Sequence, residues 1–299
     1  MKPKILVIGS SNTDMTVKSG HLPIPGETVL GGVFHMGPGG KGANQAVAAK
    51  RMGGDVTFVC KVGNDIFGEN AVAGYEKEGI DTSYVMHSDK ASGTALILVD
   101  GNGENVISVA QGANADISVE DMQNLSEVIS GADYLILQLE IPVPAVHEAA
   151  RIAHEAGVYV ILNPAPACPL PKEIFRYISL LTPNQSEVSI LSGMEVNNET
   201  DLAAAAGALR SCGVRDMVVT LGSRGSLVFD GSGEHFVPAL KVKATDATAA
   251  GDTFCGALCV GLSEGMTLVE AAGLATRASA LTVQKIGAQE SIPFRKNIK

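Results

Sequence analysis

Short apolar runs alternate with stretches of helical periodicity along most of this chain, and this alternation restricts its fold more than any other feature. Each run is continuously apolar, as is typical of a parallel strand that is buried on both faces. Repeated strand–helix units predict a three-layer α/β/α fold with a mostly parallel central sheet. The predicted strands are 4–9, 56–62, 134–139, 158–162, 180–182, 217–221 and 226–229, and the predicted helices include 46–54, 67–77, 144–156, 185–192 and 200–211.

Two stretches, at about 13–38 and 92–111, interrupt this pattern with short β segments. The second stretch contains Asp100-Gly101-Asn102-Gly103 between two β-rich segments, which predicts a hairpin. We expect the two insertions to pair as a small β-sheet that forms a lid over the ligand edge of the main sheet. No repeat or linker divides the sequence, so residues 1–299 are predicted to form a single domain.

Composition excludes several classes of partner. The net charge is −10 and no run of Lys or Arg is present, which argues against nucleic-acid binding. No segment reaches the roughly 18 apolar residues of a membrane span. The five cysteines are scattered, with no CxxC pair, and no signal peptide precedes the first strand. These features predict a soluble protein of the reducing cytoplasm.

The segment from Asp246 to Leu258 changes from polar to very small and then to apolar residues. Small residues at Ala249, Ala250 and Gly251 allow a ligand to approach the backbone where a helix begins. Free N–H groups and the helix dipole favour an anion there. Asp252 follows at once and is placed to take a proton from a hydroxyl that attacks a phosphate. A capped helix after a small-residue turn would explain the same segment without a ligand.

Polar residues also follow the first predicted strand, at the edge where open parallel sheets bind ligands. Asn12 and Asp14 are candidates for hydrogen bonds to a polyol, although ordinary turn chemistry would also explain them. The glycines of residues 37–42 match GxGxxG formally, but they do not follow the first strand as a dinucleotide fingerprint requires. Gly42 stands where a Walker A loop needs Ser or Thr. The remaining interpretation is a glycine turn that brings Lys41 and Asn44 to a small ligand.

Two further strand ends carry candidate nucleotide residues. Asn184 and Glu187 have the spacing of a helix capping box, but they could also hold a hydrated Mg²⁺ and, through it, phosphates. The segment 220–225 reads as a hairpin turn or as a loop around a nucleotide. A zinc hydrolase is disfavoured because Arg151 stands where a zincin helix needs its second His. A serine hydrolase is disfavoured because no GxSxG elbow is present.

The glycine–lysine–asparagine turn (residues 39–54) and the segment 246–258, in this order, resemble the signatures of the ribokinase-like (PfkB) family of carbohydrate kinases. The resemblance covers essentially the whole chain and includes residues 9–14, 162–167, 182–184, 220–225 and 287–291. It implies ATP-dependent phosphorylation of D-ribose at O5. It also implies a ribokinase-like fold with a β-sheet lid, and a homodimer formed through the lids.

The resemblance further implies a role for each candidate residue. Asp252 would be the general base, beside an anion hole formed by the backbone of Ala249, Ala250 and Gly251. The residues implied to bind ribose are Asn12, Asp14, Gly40, Lys41, Asn44 and Glu140, together with Asp252. The residues implied to bind ATP are Asn184, Thr220, Gly222, Ser223, Arg224, Gly225, Gly251 and Thr276.

Two cations are also implied. Glu187 would hold Mg²⁺ through water, and a monovalent cation, typically K⁺, would lie beside the anion hole. The residues implied for the monovalent cation, mostly through backbone carbonyls, are Asp246, Thr248, Thr282, Lys285, Gly287 and Ser291. One departure from the family pattern is Thr276, which occupies a position associated with Asn.

Several alternatives stay open on the sequence alone. Another kinase of the same family would act on deoxyribose, a ketohexose or a nucleoside such as adenosine. The lid region offers only Phe34 and His35 to stack a base, which disfavours a nucleoside. A non-catalytic sugar-sensing module should have lost the base, so Asp252 and Glu187 favour an enzyme. A nicotinamide oxidoreductase is disfavoured by the position of the glycines.

Overall fold

A computed structural model describes residues 2–298, in which fourteen strands and nine α-helices are formed. The strands are β1 (Lys4–Ile8), β2 (Asn12–Lys18), β3 (Val33–Gly39), β4 (Asp55–Val59), β5 (Lys61–Gly63), β6 (Met86–Ser88), β7 (Gly93–Val99), β8 (Asn105–Ala110), β9 (Tyr134–Leu137), β10 (Tyr159–Leu162), β11 (Leu180–Leu181), β12 (Asp216–Thr220), β13 (Gly225–Asp230) and β14 (Gly233–Pro238). The α-helices are α1 (Lys41–Arg51), α2 (Ile66–Glu78), α3 (Val119–Asn124), α4 (Ser126–Ser130), α5 (Val143–Glu155), α6 (Gln185–Ser192), α7 (Glu199–Ser211), α8 (Ala250–Ser263) and α9 (Leu268–Thr282). None of these helices is long and apolar enough to span a membrane.

The main sheet contains eight strands in the order β14-β13-β12-β11-β10-β9-β1-β4. Pairing is parallel from β12 to β4, whereas β13 and β14 are antiparallel additions at one edge. All four residues from Ile5 to Ile8 are buried, which explains why the sequence reads there as a continuous apolar run. The predicted three-layer α/β/α fold with a mostly parallel sheet is therefore confirmed.

The two faces of the sheet bury separate hydrophobic cores. Leu6 and Ile8 of β1 pack into the core formed with residues of α5, α6 and α7. Ile5 and Val7 point to the opposite face and pack with residues of α1, α8 and α9. This alternation follows from the period of two residues in a strand.

The two β insertions pair as one four-stranded sheet in the order β3-β2-β7-β8, which we call the lid sheet. Strands β2 and β7 are parallel, and the outer pairs are antiparallel. The β7–β8 hairpin turns where predicted, because Oδ1 of Asp100 accepts hydrogen bonds from the backbone N–H groups of Asn102 and Glu104. The predicted small sheet is confirmed.

The predicted strand 56–62 is wrong in one respect, because it is two strands. Strand β4 stays in the main sheet, whereas β5 leaves it and pairs with β6. A Cβ atom on Gly63 would lie 2.5 Å from the backbone N of Ser92, so β5 packs directly against another backbone segment. Strand β14 was not predicted, since most of its residues are exposed at a sheet edge and show no apolar pattern.

Helices α1 and α8 are held unusually close together by Gly256. A Cβ atom at this position would lie 2.6 Å from Cβ of Ala48 and 2.9 Å from the carbonyl oxygen of Gln45. Only glycine permits this approach without a shift of backbone. The close packing lets side chains from the first turns of α1 reach the first turn of α8.

Candidate active site

The N-terminus of α8 has an unusual backbone. Ala249, its N-cap residue, has φ 58° and ψ 10° and is the one non-glycine residue between 2 and 298 with a positive φ. The left-handed conformation costs a non-glycine residue roughly 1–2 kcal/mol. The Ala250 N–H donates to the Ala247 carbonyl at 3.2 Å. Gly251 and Asp252 lie in the first turn, where N–H groups have no acceptor four residues back in the helix, so this turn presents donors to an anion.

The side chain of Asp252 is held by two amides of α1. Its Oδ2 accepts from Nδ2 of Asn44 at 3.0 Å, and its Oδ1 accepts from Nε2 of Gln45 at 3.0 Å. The residue is only 6% exposed. One hydrogen bond to each oxygen fixes the plane of the carboxylate and leaves lone pairs that can accept a proton.

A glycine turn brings the loop after β1 against the start of α1. Gly40, the N-cap of α1, has φ 89°, and a Cβ atom there would lie 2.8 Å from the backbone N of Asn12. Oε2 of Glu140 accepts from the Lys41 backbone N–H at 2.9 Å and from Oγ of Ser10 at 2.6 Å. A carboxylate at a helix N-terminus is favoured by the dipole. Glu140 thus anchors this turn with one of its oxygens.

The charges of the site act on one another. Burial, followed by the charges of Glu140 and Asp252, raises the pKa of Asp14 to about 6, although Lys41 opposes this. The charge of Asp252 is the main cause that raises the pKa of Lys41, against the effect of burial. Lys41 therefore stays an ammonium group at neutral pH. These interactions show that three carboxylates, Asp14, Glu140 and Asp252, lie near the Lys41 ammonium group, in a region that we call the polar pocket.

Two amides of this pocket have polar atoms to offer a ligand. Oδ1 of Asn44 is buried and has no hydrogen-bond partner within residues 2–298. Oδ1 of Asn12 accepts from Nδ2 of Asn114 at 2.8 Å, which orients the Nδ2 of Asn12 as the remaining donor. Donors and acceptors on a charged, partly buried surface suit the hydroxyl groups of a polyol.

A cavity of about 490 Å³ lies on the other side of the α8 N-terminus. Its walls come from the turn after β12, the segment 239–247, α8 and α9. Apolar side chains such as Leu240, Val242, Phe254 and Val283 dominate one part of it, which suits a flat heteroaromatic base. The predicted nucleotide residues that line it are Thr220, Gly222, Ser223, Gly225, Gly251 and Thr276.

Three predicted nucleotide residues have other partners. Arg224 does not line the cavity and directs its Nη2 to Oε1 of Gln185 at 2.8 Å. Asn184, also outside the lining, caps α6 by accepting from the Glu187 backbone N–H at 2.9 Å. Thr276 lines the cavity, but its hydroxyl donates to the Ala272 carbonyl one turn back, so its oxygen can serve a ligand only as an acceptor.

The capping box that is one of the two interpretations of Asn184 and Glu187 is present in the structure. Oε2 of Glu187 accepts from the Asn184 backbone N–H at 2.7 Å, and its second oxygen remains for another partner. Burial is the main cause that raises the pKa of Glu187, and the charges of Lys41 and Asp252 also act on it. Glu187 thus lies in the same electrostatic neighbourhood as Asp252. A single carboxylate oxygen fits Mg²⁺, which keeps most of its waters when phosphates share its coordination.

The segments expected to hold a monovalent cation are bound to each other. Oδ1 of Asp246 accepts from the backbone N and the hydroxyl of Thr248 at 2.9 and 2.6 Å, and Oδ2 accepts from the Gly287 N–H at 3.0 Å. The hydroxyl of Ser291 donates to the Ala288 carbonyl at 2.7 Å. The Lys285 N–H donates to the Thr282 carbonyl at 3.1 Å.

Carbonyl and carboxylate oxygens are the donors that hard cations take. These two segments therefore offer the right chemistry for an alkali cation next to α8. No group of three or more His, Cys, Asp or Glu side chains suited to a metal is found in the part of the chain that the structure describes. A cation here would therefore depend on backbone carbonyls, as the resemblance implies.

Sequence reasoning assigned no role to three residues that the structure places behind the pocket. Gln138 and Asn163 each stand directly after a buried strand, β9 and β10, and Gln45 follows Asn44 in α1. All three are buried and bonded to one another or to Asp252. A polar residue immediately after a buried parallel strand is the signal that could have identified the first two.

Comparison with known proteins identifies the family of this chain. The model of the family described as pfkB family carbohydrate kinase matches residues 2–295. The chain belongs to this family. Its members are carbohydrate kinases, which are phosphotransferases, and the fold described above is the ribokinase-like fold.

Individual relatives match over the full chain. A ribokinase of Staphylococcus aureus is 39% identical over 100% of this chain and 99% of its own length. A bifunctional ribokinase/ribose-5-phosphate isomerase A of Fructilactobacillus sanfranciscensis is 42% identical over 99% of this chain, which spans 55% of that longer protein. The structure of an Arabidopsis thaliana ribokinase complexed with ribose and ATP superimposes with a TM-score of 0.91 at 32% identity, covering 100% of this chain and 98% of that one.

Proposed function

We propose that this chain catalyses the ATP-dependent phosphorylation of D-ribose at O5. One observation carries the proposal: consecutive residues of the first turn of α8 face in two directions, one toward polar side chains of α1 and one toward the cavity. Asp252 is bonded to α1 within the polar pocket, whereas Gly251 lines the neighbouring cavity. A sugar hydroxyl in the pocket and a terminal phosphate in the cavity would therefore meet at this one turn.

Each part of the site then has its own role in the reaction. Asp252 removes the proton of the ribose 5-hydroxyl as that oxygen attacks the γ-phosphorus. A bond forms between O5 and the γ-phosphorus, the bond to the bridging oxygen breaks, and ADP leaves. The N–H groups at the start of α8 stabilise charge on the phosphoryl oxygens, and the Lys41 ammonium adds positive charge nearby. Asn12, Asp14, Asn44 and Glu140 orient the sugar.

Two cations complete the proposal. Glu187 would hold Mg²⁺ through water, and the segments around Asp246 and Gly287 would hold K⁺. When bound, these ions neutralise charge on the phosphate oxygens and at the anion hole. The hydrogen bonds from Thr248 and Gly287 keep the Asp246 carboxylate in place beside α8.

We expect K⁺ to support a severalfold higher kcat than Na⁺ at equal ionic strength. The larger ion loses its water more readily and suits carbonyl oxygen ligands. Once bound, K⁺ would add positive charge beside the anion hole. The measurement is kcat in chloride salts of the two ions at saturating ribose and Mg–ATP. Equal rates in both salts would remove the cation site from the proposal, and Asp246→Asn should abolish the difference between the ions.

Ribose binding should depend on pH through Asp14. Its pKa of about 6 means that the carboxylate is ionised above pH 6 and protonated below it. Ionised Asp14 would accept hydrogen bonds from sugar hydroxyls, so ribose binding should weaken as the pH falls. Calorimetry should show a Kd that rises about tenfold from about pH 7.5 to pH 5, as a single titrating group requires. Asp14→Asn should bind ribose weakly with no such trend, and a flat profile in the parent protein would contradict this role for Asp14.

We also propose that the lid sheet covers the sugar pocket of this single domain and joins two copies as a homodimer. Residues in register with Met15 and Val17 form the sheet face opposite Asp14. This face is apolar and largely exposed at Phe34, Met36, Leu96 and Val106, with exposed fractions of 60%, 47%, 55% and 55%. Such a patch is typical of an interface.

Sedimentation velocity should accordingly give a dimer for the parent chain and a monomer for Leu96→Lys. A charge at the centre of the apolar face could not be buried against a second copy without a large desolvation cost. Ile190→Lys is the matched control, because Ile190 of α6 is also half exposed but lies outside the lid sheet. A monomeric parent chain would refute the dimer.

ADP release coupled to a second enzyme, measured with ATP and Mg²⁺ across a panel of sugars, tests the function as a whole. D-ribose should give the highest kcat/KM, above deoxyribose, a ketohexose and adenosine. Tight ribose binding without ADP release would favour a sugar-sensing module instead.

We also propose that the protein functions in the reducing cytoplasm, where its five free cysteine thiols would stay reduced.

A further inference from the structure

Behind Asp252 lies a chain of three buried amide side chains, Gln138, Gln45 and Asn163. Gln45 and Gln138 are fully buried, and Asn163 is 7% exposed. They come from the ends of β9 and β10 and from α1, so three separate elements converge on the carboxylate. None of the three lines the nucleotide cavity.

Gln45 occupies the centre of this chain, and both of its N–H groups and its carbonyl oxygen have partners. Its Nε2 donates to Oδ1 of Asp252 at 3.0 Å and to Oδ1 of Asn163 at 3.1 Å. Its Oε1 accepts from Nε2 of Gln138 at 2.7 Å. Asn163 is fixed in turn, because its Nδ2 donates to the Thr182 carbonyl at 2.8 Å. A flipped Gln45 amide would lose all three bonds, so the side chain has one orientation.

This orientation has a chemical consequence at Asp252. The fixed N–H of Gln45 donates to Oδ1, so it restricts rotation of the carboxylate plane. Asn44 does the same at Oδ2 but also has an atom free for the ligand. Gln45 has none, so it acts only through Asp252.

We propose that Gln45 is a positioning residue that holds the plane of the Asp252 carboxylate for proton removal. The inference rests on the proposed function, in which Asp252 is the base. Asn163, whose own amide is fixed by the Thr182 carbonyl, sets the direction of the Gln45 amide, so that the donor and not the carbonyl faces the carboxylate.

A pH profile that tests this role of Gln45 must separate Asp252 from the other charged and titratable groups around it. Those that act on Asp252 or are acted on by it are Lys41 of α1, Asp14 of β2, Glu187 of α6 and Cys255 of α8 itself. Asp14 affects ribose binding in the free enzyme. A profile of kcat at saturating ribose therefore separates Asp252 from Asp14, because kcat reports groups in the bound complex.

The decisive variant is Gln45→Glu, which keeps the size of the side chain and replaces the donor by an acceptor. We expect the acid limb of the kcat profile to move to higher pH by at least about one unit, because a second carboxyl group disfavours ionised Asp252. The KM for ribose should stay within about threefold of the parent value. Gln45→Met, which removes the donor without adding charge, should lower kcat about tenfold, also at nearly constant KM.

Gln123→Glu is the matched control. Nε2 of Gln123 donates to Oε1 of Glu148 at 3.1 Å, so the same exchange is made beside a carboxylate of α5, outside the site. Its profile should superimpose on that of the parent. Titration with ribose in a calorimeter gives the concentration of folded binding sites in every preparation, so each kcat is calculated per folded site. If Gln45→Glu does not fold, the kcat and KM of Gln45→Met test the proposal.

The inference is overturned if the kcat profile of Gln45→Glu coincides with that of the parent, or if the Gln45 variants change only the KM for ribose. Failure of the proposed function looks different. In that case the parent protein itself releases no ADP with any sugar, or Asp252→Asn keeps full activity.

Discussion

Replacing Asp252 with Asn is expected to lower kcat at least ~100-fold, the lower range for loss of a general base, while ribose still binds. The amide has nearly the same shape as the carboxylate but cannot take the proton of the 5-hydroxyl. Because Asn44 and Gln45 both donate to the carboxylate, one of them would face the NH₂ group of the new side chain. A small fall in Tm is therefore also expected.

The measurement pairs coupled ADP release at saturating ribose and Mg–ATP with calorimetric binding of ribose. Asp89→Asn, at an exposed carboxylate, serves as control and should behave as the parent. A kcat for Asp252→Asn within about tenfold of the parent would exclude Asp252 as the base.

Asn44→Leu is expected to lower kcat/KM for ribose by about 100- to 1000-fold, with both kcat and KM affected. A hydrogen bond to a charged group contributes about 1.5–3 kcal/mol, and Asn44 gives one to Asp252. Its buried Oδ1, which has no partner in residues 2–298, is the acceptor that we assign to a sugar hydroxyl. Leucine removes both interactions, branches at Cγ as asparagine does, and has a higher helix propensity.

The pattern of constants distinguishes this variant from Asp252→Asn. Loss of the base lowers kcat at nearly constant KM, whereas loss of Asn44 also raises the KM for ribose because a ground-state contact disappears. The exposed Asn124, the last residue of α3, provides an Asn→Leu control. An unchanged KM for ribose in Asn44→Leu would show that its Oδ1 does not bind the sugar.

Most of the fold could be predicted because its main strands carry a local signal. The runs around β1, β9 and β10 are continuously apolar, since a parallel strand covered on both faces must exclude water from every residue. The hairpin of β7 and β8 was equally readable, because Asp100 and the glycines after it fit only a tight turn. Where burial was one-sided or slight, as in β14, no such signal existed.

The departure of β5 from the main sheet had no counterpart in the sequence. Residues 56–62 read as one apolar strand, and periodicity reports burial but not the partner against which a segment is buried. The contact of Gly63 with the backbone of residues 90–92 decides that β5 pairs with β6. Such a contact joins segments that are distant in the chain, so no local pattern encodes it.

The sequence by itself determined the layered α/β architecture, the small sheet of two insertions and the list of polar residues at strand ends, because each depends on local periodicity or on local turn chemistry. Only the tertiary structure decided which of those residues meet. Asn44 reaches Asp252 across 208 positions of the chain, and it does so because Gly256 lets α1 and α8 approach without a side chain between them. The direction of the Gln45 amide was likewise decided by Asn163, since a hydrogen bond depends on distance and angle between folded elements and not on their order along the chain.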